Sequence, residues 1–291
     1  MEDSAVLLID CPDRPGLVAR VSSLLYERGA NILHADQHQD HELGLFFMRV
    51  EWGLALPGNR AGTGVIDLAA FAEEFARLAA DLEMRWTLTS SARRSRVALF
   101  CSQYLHCMAD LLHRWHTGEL HCEIPLIVSN HREVEKLAAF YGIHFEHVPV
   151  TPATRAKAET RQLGMLAAHE IDLVVLARYM QILSPGFVAR YPSAIINVHH
   201  SFLPAFVGAR PYHAAHARGV KLIGATSHYV TEVLDDGPII EQDVARISHR
   251  DQVEDLVARG RDLERIVLSR AVRWHLDRRI LCYGNKTVVF D

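Results

Sequence analysis

The chain has 291 residues, 49% hydrophobic and 23% charged, with a formal net charge of -4. That length supplies core for about two domains without disulfide or metal staples, and the apolar content excludes disorder and fibrous repeats. The slightly acidic balance excludes a broad electrostatic footprint for nucleic acid, and no run approaches the ~20 apolar residues of a membrane-spanning helix.

The amino terminus, MEDSAVLLID, lacks the basic region of a secretory signal. Residues 5–10 (AVLLID) read as a strand, and Cys11-Pro12-Asp13-Arg14-Pro15-Gly16 as a loop. Leu17, Val18, Val21, Leu24 and Leu25 repeat at helical spacing, with Gly29 past the last turn. A second strand spans Asn31 to His38. Alternation of Phe46, Met48, Val50 and Trp52 predicts a third strand with one buried face. A loop with Pro57, Gly58, Gly62 and Gly64 precedes an amphipathic helix marked by Leu68, Phe71, Phe75, Leu78 and Leu82, and Arg85 to Ser90 closes the unit. The order is βαββαβ, a ferredoxin-like plan.

Ser91-Ala92-Arg93-Arg94-Ser95 is a polar, basic linker, so domains are expected at 1–91 and 96–291. Strands and helices then alternate: strand 96–100, helix 104–116, strand 124–129, helix 131–141, strand 143–148, helix 154–169, strand 171–177, and further strands at 193–198 and 222–230. This alternation predicts a Rossmann-like, mainly parallel sheet. The fold class is therefore α/β, with a ferredoxin-like domain ahead of it.

Ligands of such sheets bind beyond the carboxyl ends of the strands, and three strand exits carry reactive groups. Asn197 and His199 are two apart in INVHHSFLP, so both project to one face of an extended chain. An amide and an imidazole side by side can polarise one carbonyl oxygen; a strand end with polar caps gives the same pattern. Asp235 and Asp236 precede Gly237-Pro238, either as a solvated turn or with one carboxylate facing inward to hold a water. Leu176 to Pro185 mixes apolar and polar groups, which suits a flat heteroaromatic ligand or plain packing on the sheet.

The segment from Ile196 to Val244 resembles the core of the folate-dependent formyltransferase family. Asn197, His199 and Ser201 match that family's Asn-x-His-x-Ser segment, and His228 with Asp235 match its later His-x₆-Asp ahead of Gly-Pro. LARYMQILSPGFV is similar to its pterin-binding segment, which implies Met180, Ile182, Leu183 and Val188 against the pterin, with Ser201 and His228 also at the substrate. Residues 4–91, with Asp13-Arg14-Pro15-Gly16 and Asn31, resemble the ACT regulatory domain; a plain dimerisation module fits the same pattern. That resemblance implies a free amino acid such as methionine or glycine at Asp13, Gly16 and Asn31. An ACT-like domain ahead of this core resembles the hydrolytic branch of the family, as do Gly208-Ala209-Arg210-Pro211-Tyr212 and the tail Leu281 to Thr287. It implies hydrolysis of 10-formyltetrahydrofolate to formate and tetrahydrofolate, balancing one-carbon folate pools and supplying formate for purine biosynthesis.

The family's glycinamide ribonucleotide enzyme cradles a phosphate in a glycine-rich loop after its first strand. Here that loop is Cys101-Ser102-Gln103-Tyr104-Leu105-His106-Cys107, without glycine, so water is the expected acceptor. His106 either contacts substrate or fills that space. The expected roles are Asn197 and His199 donating to the formyl oxygen and Asp235 orienting water, with folate as substrate, no resident cofactor and no metal. Transfer to an amine acceptor is the alternative; an amino-acid sensor without catalysis is a third. Five scattered cysteines without CxxC read as reduced thiols in a cytoplasmic protein. Histidines at 113 and 116, at 213 and 216, and at 34, 38 and 41 have metal-compatible spacing but lack completing ligands. The exposed edges of a βαββαβ unit favour a homo-oligomer.

Overall fold

In the computed structural model residues 3–55, 66–205 and 211–291 are described, without the side chain of Pro211. The expected loop at Pro57, Gly58, Gly62 and Gly64, and the stretch Gly208-Ala209-Arg210, lie outside those residues. Contacts divide the chain into two units. One is Met1–Arg93 with Arg278–Leu281 and Val288–Asp291, and the other is Arg94–Asp277 with Cys282–Thr287. The division near residue 93 falls in the basic linker, whereas the last residues split between the units, unlike the expected single span 96–291.

The first unit runs β1 (Ser4–Pro12), α1 (Leu17–Glu27), β2 (Asn31–Asp40), β3 (Leu45–Gly53), α2 (Leu68–Asp81) and β4 (Arg85–Ser90). Its antiparallel sheet has the order β2-β3-β1-β4. Alternation puts Leu7, Ile9, Met48, Val50 and Trp52 into a core covered by Val21 and Leu25 of α1 and Phe71 and Phe75 of α2. The Trp52 and Phe71 rings lie 5.1 Å apart, and Phe75 meets Trp86 edge-on at 5.2 Å. Asp67 caps α2 by accepting from the amides of Ala69 and Ala70. Gly16 precedes α1 at φ 89, a left-handed backbone where a side chain would be strained.

The second unit continues with β5 (Ser95–Cys101), α3 (His106–His116), β6 (Cys122–Ser129), α4 (Glu135–Phe140), β7 (His144–His147), α5 (Arg155–Ala168), β8 (Leu173–Ala177), α6 (Pro185–Val188), β9 (Ile195–His199), α7 (Pro211–Arg218), β10 (Leu222–Tyr229), β11 (Ile239–Arg246) and α8 (Val253–Leu276). The strands β12 (Ile280–Tyr283) and β13 (Lys286–Val289) pair with each other. The main sheet has the order β11-β10-β9-β8-β5-β6-β7. Strands β7 to β9 in that order are parallel, while β10 is antiparallel to both β9 and β11. The central strands β5 and β8 are buried on both faces, which explains their unbroken apolar runs. Helix α4 starts only at Glu135, because the chain first turns at His131, whose amide donates to Ser129 Oγ. Helix α8 opens with a reciprocal cap between Gln252 and Asp255.

Candidate active site

Strand β9 ends on Asn197, Val198 and His199, and β10 runs back beside it with His228 opposite Asn197 and Thr226 opposite His199. Directly opposed residues of an antiparallel pair share a face. Asn197 Nδ2 accordingly lies 3.2 Å from His228 Nε2. Nδ1 of His228 is 2.9 Å from the carbonyl of Tyr229, which can only accept, so Nδ1 carries the proton. Nε2 of the neutral ring is then an acceptor, and the Asn197 amide donates to it. That contact orients the Asn197 side chain and leaves its second N–H for a ligand.

The chain returns toward these groups after β10. Asp235 adopts φ 54, and a Cβ at Gly237 would stand 1.7 Å from the Tyr229 carbonyl, so only glycine closes this turn. The Tyr229 amide donates to the Pro238 carbonyl at 2.9 Å. As a result Asp235 faces inward while Asp236 is exposed. Asp235 Oδ2 lies 3.2 Å from His199 Nδ1, and Oδ1 lies 3.7 Å from His228 Nε2. Burial works against the charged carboxyl, but the hydrogen bond and charge of His199 lead the effects that outweigh it and hold Asp235 well below the usual carboxylate range. With Nδ1 engaged by Asp235, His199 Nε2 points elsewhere; it is buried and has no hydrogen-bond partner among the described residues. A buried polar atom without a partner is costly, and at a site its partner is commonly the ligand.

Four expected residues therefore meet: Asn197, His199, His228 and Asp235. Two residues that the sequence did not single out support them. Thr226 Oγ1, fully buried, donates to the Ser201 carbonyl at 2.8 Å and accepts from the Leu203 amide at 3.0 Å. Gln242 Nε2 donates to Thr226 Oγ1 and to the Leu203 carbonyl, at 2.9 and 3.0 Å. Together they hold the turn that follows His199. Their only sequence signal is a polar residue within a strand.

The remaining expected residues are placed as follows. Ser201 Oγ donates to the Ala205 carbonyl at 2.8 Å, so its hydroxyl ties the turn together. In the pterin-like segment, Leu183 and Val188 are buried in the hydrophobic core, whereas Met180 and Ile182 are 50% and 56% exposed. The segment is anchored from beneath: the Ser102 amide donates to the Arg178 carbonyl and Gln162 Nε2 donates to Tyr179 Oη. In the first unit, an open cavity of about 660 Å³ is lined by Asp13, Gly16, Gln37, His38 and Phe46, among others. Asn31 is not among its lining residues; it pairs with Gly53 at the start of β2.

A second polar cluster lies at the exits of β5 and β8. Glu264 of α8, 1% exposed, accepts from Tyr212 Oη at 2.7 Å and meets His106 Nε2 at 2.7 Å. Arg178 Nε lies 3.4 Å from the same carboxylate. Burial raises the Glu264 carboxyl, yet the His106 hydrogen bond and the Arg178 charge bring it below its ordinary value. Ligand atoms of His106, Cys107 and Glu264 lie within 4.8 Å of one another, the one such group among the described residues. Burial pushes the Cys107 thiol well up, so it stays protonated beside a guanidinium, and this donor set does not suit a cation. All five cysteines are free thiols. None of the described helices is long and apolar enough to cross a membrane.

Residues 95–272 match the family model for formyl transferase, and residues 5–51 match the ACT domain. A formyltetrahydrofolate deformylase of Synechocystis is 52% identical, over 99% of this chain and 98% of its own length. One from Bacillus subtilis is 49% identical, over 100% of this chain and 95% of its own. The crystal structure of a formyltetrahydrofolate deformylase from Pseudomonas syringae pv. tomato superimposes with a TM-score of 0.94 at 49% identity, covering 100% of this chain and 95% of that one.

Proposed function

The chain belongs to the formyl transferase family and, within it, to the formyltetrahydrofolate deformylases, and from that premise we propose how its residues hydrolyse 10-formyltetrahydrofolate to formate and tetrahydrofolate. Water oxygen adds to the formyl carbon, and the carbonyl oxygen gains negative charge. The N–H of Asn197 and protonated Nε2 of His199 donate to that oxygen; ionised Asp235 is the counter-charge on Nδ1. Asp235 keeps lone pairs free beyond its two histidine contacts, and these orient the water and accept its proton. The C–N10 bond then breaks as N10 takes the proton that Asp235 accepted from the water, leaving tetrahydrofolate and formate. Donors aimed at a developing oxyanion are worth roughly 10²–10³ in rate each. Folate is the substrate and water the co-reactant, so the scheme balances without a resident cofactor.

The observation that carries the reading is His199 Nε2, buried and without a hydrogen-bond partner among the described residues, on the strand face it shares with Asn197 and with Asp235 at its other nitrogen. The exposed Met180 and Ile182 suit the face of a pterin, with Leu183 and Val188 as packed backing. Formate release from purified protein and 10-formyltetrahydrofolate tests the scheme. Release by Asn197→Ala and Asp235→Asn at the parent rate would sink it.

For the ACT unit the reading is amino-acid binding at the cavity between Gly16 and Gln39, whose amide donates to both oxygens of Asp13 at 3.1 Å. Methionine and glycine are the candidates, and a change in activity on their addition tests it. A homo-oligomer is part of this reading. The edge strand β2 is largely exposed, including Leu33 at 58%, and an unpaired edge recruits another strand. Sedimentation as a monomer at all concentrations would exclude it. Free thiols suit a reducing, cytoplasmic setting.

A further inference from the structure

Strands β5 and β8 are neighbours in the middle of the sheet, and the chain leaves them toward opposite sides: β5 leads to β6, and β8 leads to β9. The crevice beyond such a switch point is where this class of sheet receives a ligand. Here the chain's own polar side chains occupy it. His106 enters from the start of α3, Arg178 from the exit of β8, and Glu264 from α8, where it joins both. Tyr212 reaches the second oxygen of Glu264. Because this cluster lies outside the Asn197–His199–Asp235 group, the hydrolytic scheme does not use it.

We propose that His106, Arg178, Tyr212 and Glu264 form a built-in plug that closes the second-substrate subsite and so makes water the acceptor. The inference rests on the hydrolytic reading above and names what enforces it. Five features distinguish a plug from ordinary packing. Charged groups buried together are a weak source of stability, and apolar side chains of like volume usually serve as well or better. Arg178 holds its place with φ 62, a backbone that a long side chain rarely adopts. Helix α8 carries glycine at 260, where a Cβ would stand 2.0 Å from Tyr212 Oη, so the helix is hollowed to admit that ring. The guanidinium also sits over the Tyr104 ring, 5.3 Å from its centroid. Its Nε and Nη1 have no hydrogen-bond partner among the described residues. The Glu264 carboxylate therefore repels an acceptor's anion from donors that would otherwise bind it.

The test uses wild type, the double variant His106→Gly/Glu264→Gln and that double variant with Arg178→Gly added, a replacement that the left-handed backbone accepts. Inorganic phosphate is titrated calorimetrically into each, and glycinamide is added to turnover assays that measure formate and formyl-glycinamide separately. Wild type is expected to release formate, bind no phosphate and give no saturable formyl transfer. The double variant is expected to bind phosphate at least about ten-fold tighter than the weakest affinity the titration resolves, because a buried guanidinium is freed for charge-assisted hydrogen bonds, and adding Arg178→Gly to it is expected to abolish that binding. Phosphate binding by wild type within about three-fold of the double variant, or a folded double variant that gains none, overturns the plug. Saturable transfer to glycinamide by wild type overturns it as well, and does not depend on any variant folding. Absence of formate release by wild type would instead overturn the hydrolytic reading.

Discussion

Asp235→Asn preserves volume at the centre of the site and removes one charge. The carboxylate lies 3.2 Å from His199 Nδ1 with its side chain only 11% exposed. At an effective dielectric of about 20, opposite unit charges at that distance attract by about 5 kcal/mol. An amide oxygen recovers part of this through its dipole. A positioned acid–base group is worth ~10²–10⁴ in rate, which at about 1.36 kcal/mol per decade is ~3–5 kcal/mol. The electrostatic figure falls at the upper end, so kcat should drop about 10³–10⁴-fold. The Michaelis constant should move less, because Asp235 meets the water and not the body of the folate. The assay is continuous formate release at neutral pH, with folding checked by circular dichroism. Exposed Asp236 is the control, and Asp236→Asn should stay within about three-fold of the parent. Comparable losses in the two variants, or a loss under ten-fold in Asp235→Asn, would refute the reasoning.

Asn197→Ala removes one oxyanion donor and should lower kcat about 10²–10³-fold with a smaller effect on KM, measured by the same assay. The pH dependence of stability follows from the depressed Asp235 pKa. The folded group titrates below its unfolded value, so its stabilisation is full above the ordinary carboxylate range and is lost as pH falls through the lower folded value. Acid unfolding of Asp235→Asn, followed by denaturant titration at pH 7 and pH 3, should consequently show a smaller loss of stability on acidification than the parent. Gly260→Ala would stabilise an ordinary helix by up to about 1 kcal/mol; here the Tyr212 contact reverses the sign and costs ~1–3 kcal/mol. A thermal melt decides, and coupling with Tyr212→Ala should recover part of the loss. In the first unit, Gly16→Val forces a β-branched residue to φ 89 and should weaken methionine or glycine binding, read by calorimetry.

The first unit was legible because each element buries one face: Phe46, Met48, Val50 and Trp52 alternate, and Phe71 and Phe75 recur one helical turn apart. The parallel strands were legible as apolar runs, β8 above all. That Asn197 and His199 share a face followed from strand periodicity, and their role followed from the family motif they match. The contact of the pair with His228 did not, because it depends on the β9–β10 register and on the reversed direction of β10. Local spacing encodes neither. The choice of Asp235 over Asp236 came from the family motif and not from local chemistry; physically it depends on a left-handed residue and on Gly237 packing against Tyr229. Residues beyond 230 carried no predicted element, although β11 and α8 are both present. The buried stripe of α8 includes Gly260 and Glu264, which break the apolar period by which a core helix is recognised. Leu183 and Val188 show the limit of a motif: matching residues identify the segment, while side-chain direction decides which of them a ligand meets.

The ladder between β9 and β10 separates chemistry from its surroundings. The reacting groups are aligned by backbone pairing across two strands, and the turn after β10 adds Asp235 to them. Loops around such a ladder tolerate insertion and exchange, while the amide and imidazole keep their spacing. Evolution, or a protein engineer, thus has a region in which to retune what enters the cleft while the bond-breaking machinery stays fixed.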